Sequence, residues 1–163
     1  MANPDFINYA TEQDSTGSFL VNLPPSWASG SVQIIYAATD GYTPTFLTAS
    51  GFAVGVDRFG NTTSVNVSGA TGMHAFWRRT TNAGTDASPG TDPAPRFAAP
   101  TGGGTVLACH MNTYSDCRPN GSPFHLIVTG TITSATTQAS PPAITTTISG
   151  CTVIGLASSE EDD

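Results

Sequence analysis

Lysine is absent from the 163 residues, and the five basic residues are all arginine: Arg58, Arg78, Arg79, Arg96 and Arg118. A nucleic-acid groove or an anionic membrane surface needs clustered cations to displace counterions, and only Arg78 and Arg79 are adjacent, so neither partner is expected. Charge of either sign is scarce, at 10% of residues. The net charge of −7 is inflated by Glu160, Glu161, Asp162 and Asp163, which form one terminal run; without these four, eight acids face five bases. No apolar run approaches the roughly 20 residues of a membrane-spanning helix. Met1 to Asp5 has neither a basic segment nor an apolar core of the secretory kind, so the chain is expected to be made and folded in a cytosol. The glycosylation-like triplets at Asn61, Asn66 and Asn120 are then chance matches.

Motifs of chemistry are equally sparse. Cys109, Cys117 and Cys151 are odd in number and lack CxxC spacing, which signals neither a disulfide framework nor a zinc site. Buried free thiols suit their strand-like contexts better than a single bridge, which stays open. No Gly-x-Ser-x-Gly elbow occurs. Gly102-Gly103-Gly104 has no following Lys and leads into a strand rather than a helix, so it is no phosphate cradle. His74, His110 and His125 fall on three predicted strands with no carboxylate within two residues of any; half-buried histidines are expected rather than a metal ion. Asp40, Asp57 and Asp116 sit at turns, where Asp is favoured by local hydrogen bonding rather than as a glycosidase pair. No catalytic residue and no cofactor or metal is expected.

What the chain has is Thr and Ser, roughly a quarter of the residues, with 17 Gly and 12 Pro spread throughout. That composition favours strands and frequent turns over helices. Strands are predicted at residues 19–23, 31–38, 45–47, 51–56, 62–67, 73–80, 104–113, 123–133, 143–148 and 151–157. The segment 31–38 is too continuously apolar for a half-exposed strand and reads as mid-sheet. Residues 73–80 place Met73, Ala75, Trp77 and Arg79 on one face and His74, Phe76 and Arg78 on the other, and aromatics on both faces imply burial on both sides or contact with a neighbouring subunit. The run after Gly104 is the best candidate for a central strand. Turn signals every 8–12 residues point to an all-β antiparallel sandwich of jelly-roll type. The N-terminal segment 1–18 is expected to be an arm or an edge strand that finds its partner elsewhere, a domain spans 19–157, and an acidic tail fills 158–163.

Residues 81–104 form the longest irregular segment, with Phe97 as its apolar anchor; loops this long inside a domain are usually functional or interfacial. The expected contact surface joins this loop to Phe6 and Tyr9 of the arm, to Arg78 and Arg79, which cannot both enter one core, and to Glu160 and Glu161. An alternative surface is a carbohydrate platform of Trp27, Tyr42 and Phe46, because sugar rings stack on exposed aromatics.

The order of elements resembles a loosely defined group of β-sandwich proteins among tailed-bacteriophage virion components. The resemblance is carried by a Leu-Pro-Pro lead-in, the segment 30–38, the Gly51-Phe52 pair, and Phe76-Trp77-Arg78-Arg79. It continues through Val106-Leu107-Ala108 toward Tyr114, Ser122-Pro123-Phe124 and Thr145-Thr146-Thr147, spanning most of 19–157. It implies a non-enzymatic virion part: a capsid decoration (cement) protein binding the major capsid protein as a homo-oligomer, or alternatively a carbohydrate-binding tail-fibre or tail-tip adhesin. Similar proteins continue past the strand at 151–157, so the resemblance also implies either a short sandwich or one completed by a neighbouring subunit.

Overall fold

The computed structural model describes residues 5–15, 17–40, 42–65, 71–99, 106–129, 142–147 and 151–155. Among them are nine strands and no helix: β1 (Asp5–Ser15), β2 (Phe19–Leu20), β3 (Val32–Asp40), β4 (Phe46–Thr48), β5 (Ala53–Val54), β6 (Ser64–Val65), β7 (Thr71–Arg79), β8 (Arg96–Phe97) and β9 (Val106–Ser115). All pairings are antiparallel. The larger sheet runs β1-β9-β3-β7-β5, with β6 also on β7, and the smaller runs β2-β8-β4.

The continuous apolar run of β3 is explained by what covers it. Its odd positions Ile35 and Ala37 join Phe76, Cys109 and Met111 in one buried cluster with Val21, Leu23, Trp27, Phe52 and Phe97. Its even positions Val32, Ile34 and Tyr36 join Ala75 and Tyr114 in a second cluster on the opposite face, against which Trp77, Cys117 and Phe124 pack. A strand buried on both faces cannot alternate apolar with polar, and β3 does not. Its neighbour β7 carries aromatics on both faces for the same reason, and β9 sends Cys109 and Met111 to the first cluster and Tyr114 to the second.

The smaller sheet meets the larger through phenylalanine. Phe46 of β4 stacks on Phe97 of β8 at 4.5 Å between centroids, and Phe76 of β7 forms T-shaped pairs with both, its centroid 4.8 Å from that of Phe46 and 5.7 Å from that of Phe97. Offset and edge-on pairs of this kind contribute about 0.5–1.5 kcal/mol each beyond their buried area.

Residues 5–15 form an edge strand: β1 pairs along β9 from Asp5 opposite Ser115 to Ser15 opposite Val106, with one register shift between Phe6 and Asn8. Other expectations change. The segment 81–104 is not wholly irregular, because β8 lies within it at the centre of the smaller sheet. The ladder extends past the two-residue strand, Val21 N–H donating to Pro95 O at 3.0 Å and Ala98 N–H to Thr45 O at 2.8 Å. Residues 123–129, 143–147 and 151–155 form no strand; the rest of the three predicted strands there, the 102–104 glycines and the acidic tail lie outside the described residues. Two of the backbone donors in 123–129 go to side chains instead of a ladder, Phe124 N–H to Ser122 Oγ at 3.2 Å and Ile127 N–H to Asp57 Oδ2 at 2.9 Å.

Candidate functional site

Arg78, near the end of β7, makes four hydrogen bonds through its side chain. Strand alternation points it to the same face as Phe76, and it is 3% exposed. Its Nε donates to Gln33 Oε1 at 2.8 Å across the β3–β7 pair. Nη1 donates to Ser50 O at 2.9 Å and Pro93 O at 2.7 Å, and Nη2 to Asp92 O at 2.8 Å. The guanidinium carbon lies 4.6 Å from the centroid of the Phe52 ring. Burial lowers the guanidinium to about 10, with the Asp92 carboxylate opposing, so it is charged at neutral pH. A planar fork with fixed donors can hold three carbonyls from two separate segments at once, which an ammonium cannot do with the same geometry.

Arg78 thereby fastens the loop after β7 to the sheet. Asp92, also buried, turns its carboxylate the other way and accepts from Thr81 N–H at 3.0 Å and Asn82 N–H at 3.1 Å. Further back, Trp27 and Gly84 exchange backbone hydrogen bonds of 2.9 and 3.1 Å. The indole lies so close that a Cβ on Gly84 would stand 2.6 Å from its Cζ2. The loop is a fixed relief built on β7, not a separate flap.

The histidines do not converge. His74 pairs with Ala37 of β3 and His110 with Tyr36, so adjacent β3 residues place them on opposite faces of the sheet. His74 is buried and bridges three strands, with Nε2 3.1 Å from Thr39 Oγ1 and Nδ1 2.8 Å from Ser64 Oγ. Thr39 spends its own proton on Tyr42 O at 2.7 Å, so it accepts from an Nε2–H tautomer, leaving Nδ1 to accept from Ser64. Burial lowers the His74 pKa, against an opposing contribution from the Tyr42 carbonyl. His125 meets Thr147 Oγ1 at 3.1 Å. No group of three metal-ligating side chains occurs among the described residues, and no disulfide joins their three cysteines.

Asp57 organises the hairpin between β5 and β6. Val56 bridges Thr62, and the Ala75 peptide of β7 receives both arms, Gly55 N–H donating to its carbonyl and its own N–H to Thr63 O. The carboxylate accepts from Phe59 N–H at 2.8 Å, Asn61 N–H at 2.9 Å, Asn61 Nδ2 at 3.0 Å and Ile127 N–H at 2.9 Å. It is shielded just beneath the surface rather than deep in the core. Burial would raise its pKa, but the donors from Ile127, Asn61 and Phe59 outweigh that and hold it at about 2. At the tip Phe59 is 64% exposed, with the Arg58 guanidinium 4.5 Å from its ring centroid.

Two open grooves flank these elements. One, of about 360 Å³, is lined by Ala28, Gly30, Arg79, Asp116, Cys117 and Pro119 among others. Arg79 forms its wall, donating to Gly30 O at 3.0 Å and to Arg118 O. Burial raises the Cys117 thiol, Arg79 opposing and Asp116 reinforcing. The other, of about 450 Å³, lies between Asn61, Thr62 and Ser64 and residues 126–129.

Three expected surface residues are corrected. Phe97 is fully buried at the junction of the sheets, Arg78 is consumed by the loop, and Trp27 is 4% exposed beneath Gly84. None can stack on a sugar or reach a partner. Tyr42 and Phe46 are partly buried and pack against the first cluster; burial raises Tyr42 to about 12. Arg79 stays half-exposed. Phe6 stands opposite Tyr114 and Tyr9 opposite Asn112 in the β1–β9 register, while Glu160 and Glu161 lie outside the described residues. Sequence reasoning missed Gly84, Asp92 and the Arg58–Phe59 tip; only the tip carried a signal, the Gly60-Asn61 turn that follows it.

No protein-family model matches the chain, and neither a curated protein nor a solved structure matches it.

Proposed function

We propose that the protein is a non-enzymatic virion structural component of a tailed phage, a capsid decoration protein that binds the assembled head and stabilises it. The observation that carries the reading is Arg78: a buried cation spent entirely on holding Ser50, Asp92 and Pro93 in place makes the loop above β7 a rigid mould. Rigid surface relief lowers the ordering cost of docking on a large protein surface. The adhesin alternative has lost its platform, since Trp27 is covered and Tyr42 and Phe46 pack inward.

The architecture that suits this role is an antiparallel sandwich of jelly-roll type. Its support is the Phe46, Phe76 and Phe97 contact between the two sheets and the return of β1 to the edge beside β9. The mechanism is linkage: a protein that binds the shell but not its dissociated subunits shifts the equilibrium toward the shell. Particles assembled without it should rupture at lower temperature than complete ones, in a heat-release assay of packaged DNA. Identical release profiles would remove the decoration role.

A further inference from the structure

Two features lie outside the role of Arg78 and its loop: a rigid exposed tip and an open groove elsewhere on the molecule. At the tip, Asp57 accepts four hydrogen bonds, its N–H donates to Asn61 O at 3.0 Å and Gly60 N–H returns to Asp57 O at 3.2 Å. Gly60 takes the positive φ of 85° that closes the turn. The arm leading to it exposes Val54 at 38% and Val56 at 40%, two positions apart and so on one side of the extended chain, and ends in Phe59 at 64%. An apolar ring held out by a locked turn, with a guanidinium on its face, has the composition and preorganisation of an interface anchor.

The groove is suited to that anchor. The groove is open to solvent and measures about 360 Å³. Ala28, Gly30, Cys117 and Pro119 supply apolar wall. The edges of the Arg79 guanidinium are engaged by the Gly30 and Arg118 carbonyls, which leaves its flat face for a ring. Asp116 is exposed at the rim, oriented by Ser115 Oγ at 3.1 Å, and supplies a carboxylate for Arg58, whose Nη2 donates within its own chain to the neutral Thr147 Oγ1 at 3.3 Å. The hairpin leaves the sheet at Ala75, halfway along β7, whereas the groove lies beyond Arg79 at the end of that strand. Tip and groove therefore cannot serve one another within one copy.

We propose that the Arg58–Phe59 tip of one copy seats in the Gly30–Arg79–Asp116 groove of a second copy, a head-to-tail contact between unlike surfaces. Such contacts close into a ring or propagate as a filament. This deepens the assembly reading by naming a second copy as the partner.

Sedimentation velocity of the purified full chain over a wide concentration range tests it. The wild type should associate with increasing concentration, and Phe59→Ser should weaken association at least tenfold while leaving the thermal melt unchanged. Arg58→Gln and Asp116→Asn should each weaken it several-fold, with the double variant no worse than the weaker single. Asn is chosen because Asp116 has a positive φ of 53°, which Asn tolerates. A wild type that remains monomeric, an unaffected Phe59→Ser, or fully additive losses would each overturn the proposal. Shell binding is measured separately, so a monomer that still binds heads would sink this contact and spare the decoration reading.

Discussion

Replacing Arg78 with Ala leaves the carbonyls of Ser50, Asp92 and Pro93 and the Gln33 side-chain oxygen without their donor. A hydrogen bond to a charged group contributes about 1.5–3 kcal/mol, but the guanidinium's own desolvation offsets part of the total. Removing one partner from a buried charged network costs about 3–5 kcal/mol in comparable cases. For a chain of this length each kcal/mol shifts Tm by about 2–4 °C, so Tm should fall by about 6–20 °C. Urea denaturation measures the loss directly, and amide exchange locates it, with the largest gain in exchange expected at Thr81, Asn82, Asp92 and Ala94. Arg78→Lys should recover only part of the stability, because an ammonium cannot reproduce the fork. A loss under about 1 kcal/mol, or faster exchange spread evenly over the sheet, would refute the claim that Arg78 pins the loop.

Three further outcomes follow from the same contacts. Gly84→Ala drives a Cβ into the Trp27 ring and should cost about 1–3 kcal/mol by chemical denaturation, as overpacking does; a neutral result would displace Trp27 from that position. The lowered pKa of His74 means that the unfolded chain takes up a proton first. Stability is therefore full above about pH 6.5, the ordinary His value, and falls as the solution is acidified. His74→Gln should flatten the pH dependence in that window, and an unchanged slope would count against a buried neutral imidazole. For Asp57, whose folded pKa of about 2 lies below that of the unfolded chain, the stabilisation is present above about pH 4 and lost as pH falls toward 2. Asp57→Ala should remove that acid dependence and speed exchange of the Phe59, Asn61 and Ile127 amides, and unchanged protection there would contradict the hairpin geometry.

The long strands were readable because their patterns are local. β3, β7 and β9 declare themselves by apolar runs bounded by Gly, Pro and Asp, and the double-sided burial of β7 follows from alternating Phe76 and Trp77. The short strand β8 was hidden: two residues after Pro95 have no periodicity, and pairing with Phe19 and Phe46 creates it. Trp27 was misplaced because its cover, Gly84, is far along the chain and is marked only by lacking a side chain. Arg78 was assigned outward for a related reason. Three of its four acceptors are backbone carbonyls, which every residue carries and no sequence pattern displays. Conversely, the apolar pattern of 123–129 promised a strand, two of whose donors the fold sends to Ser122 and Asp57.

On the proposed decoration role, the protein recognises the assembled shell through a fixed surface. Purified protein should be mixed with intact heads stripped of it and, separately, with dissociated capsid subunits, and bound protein quantified after sedimentation. Saturable binding to heads with none to free subunits is predicted; equal binding to both, or none to heads, would contradict it.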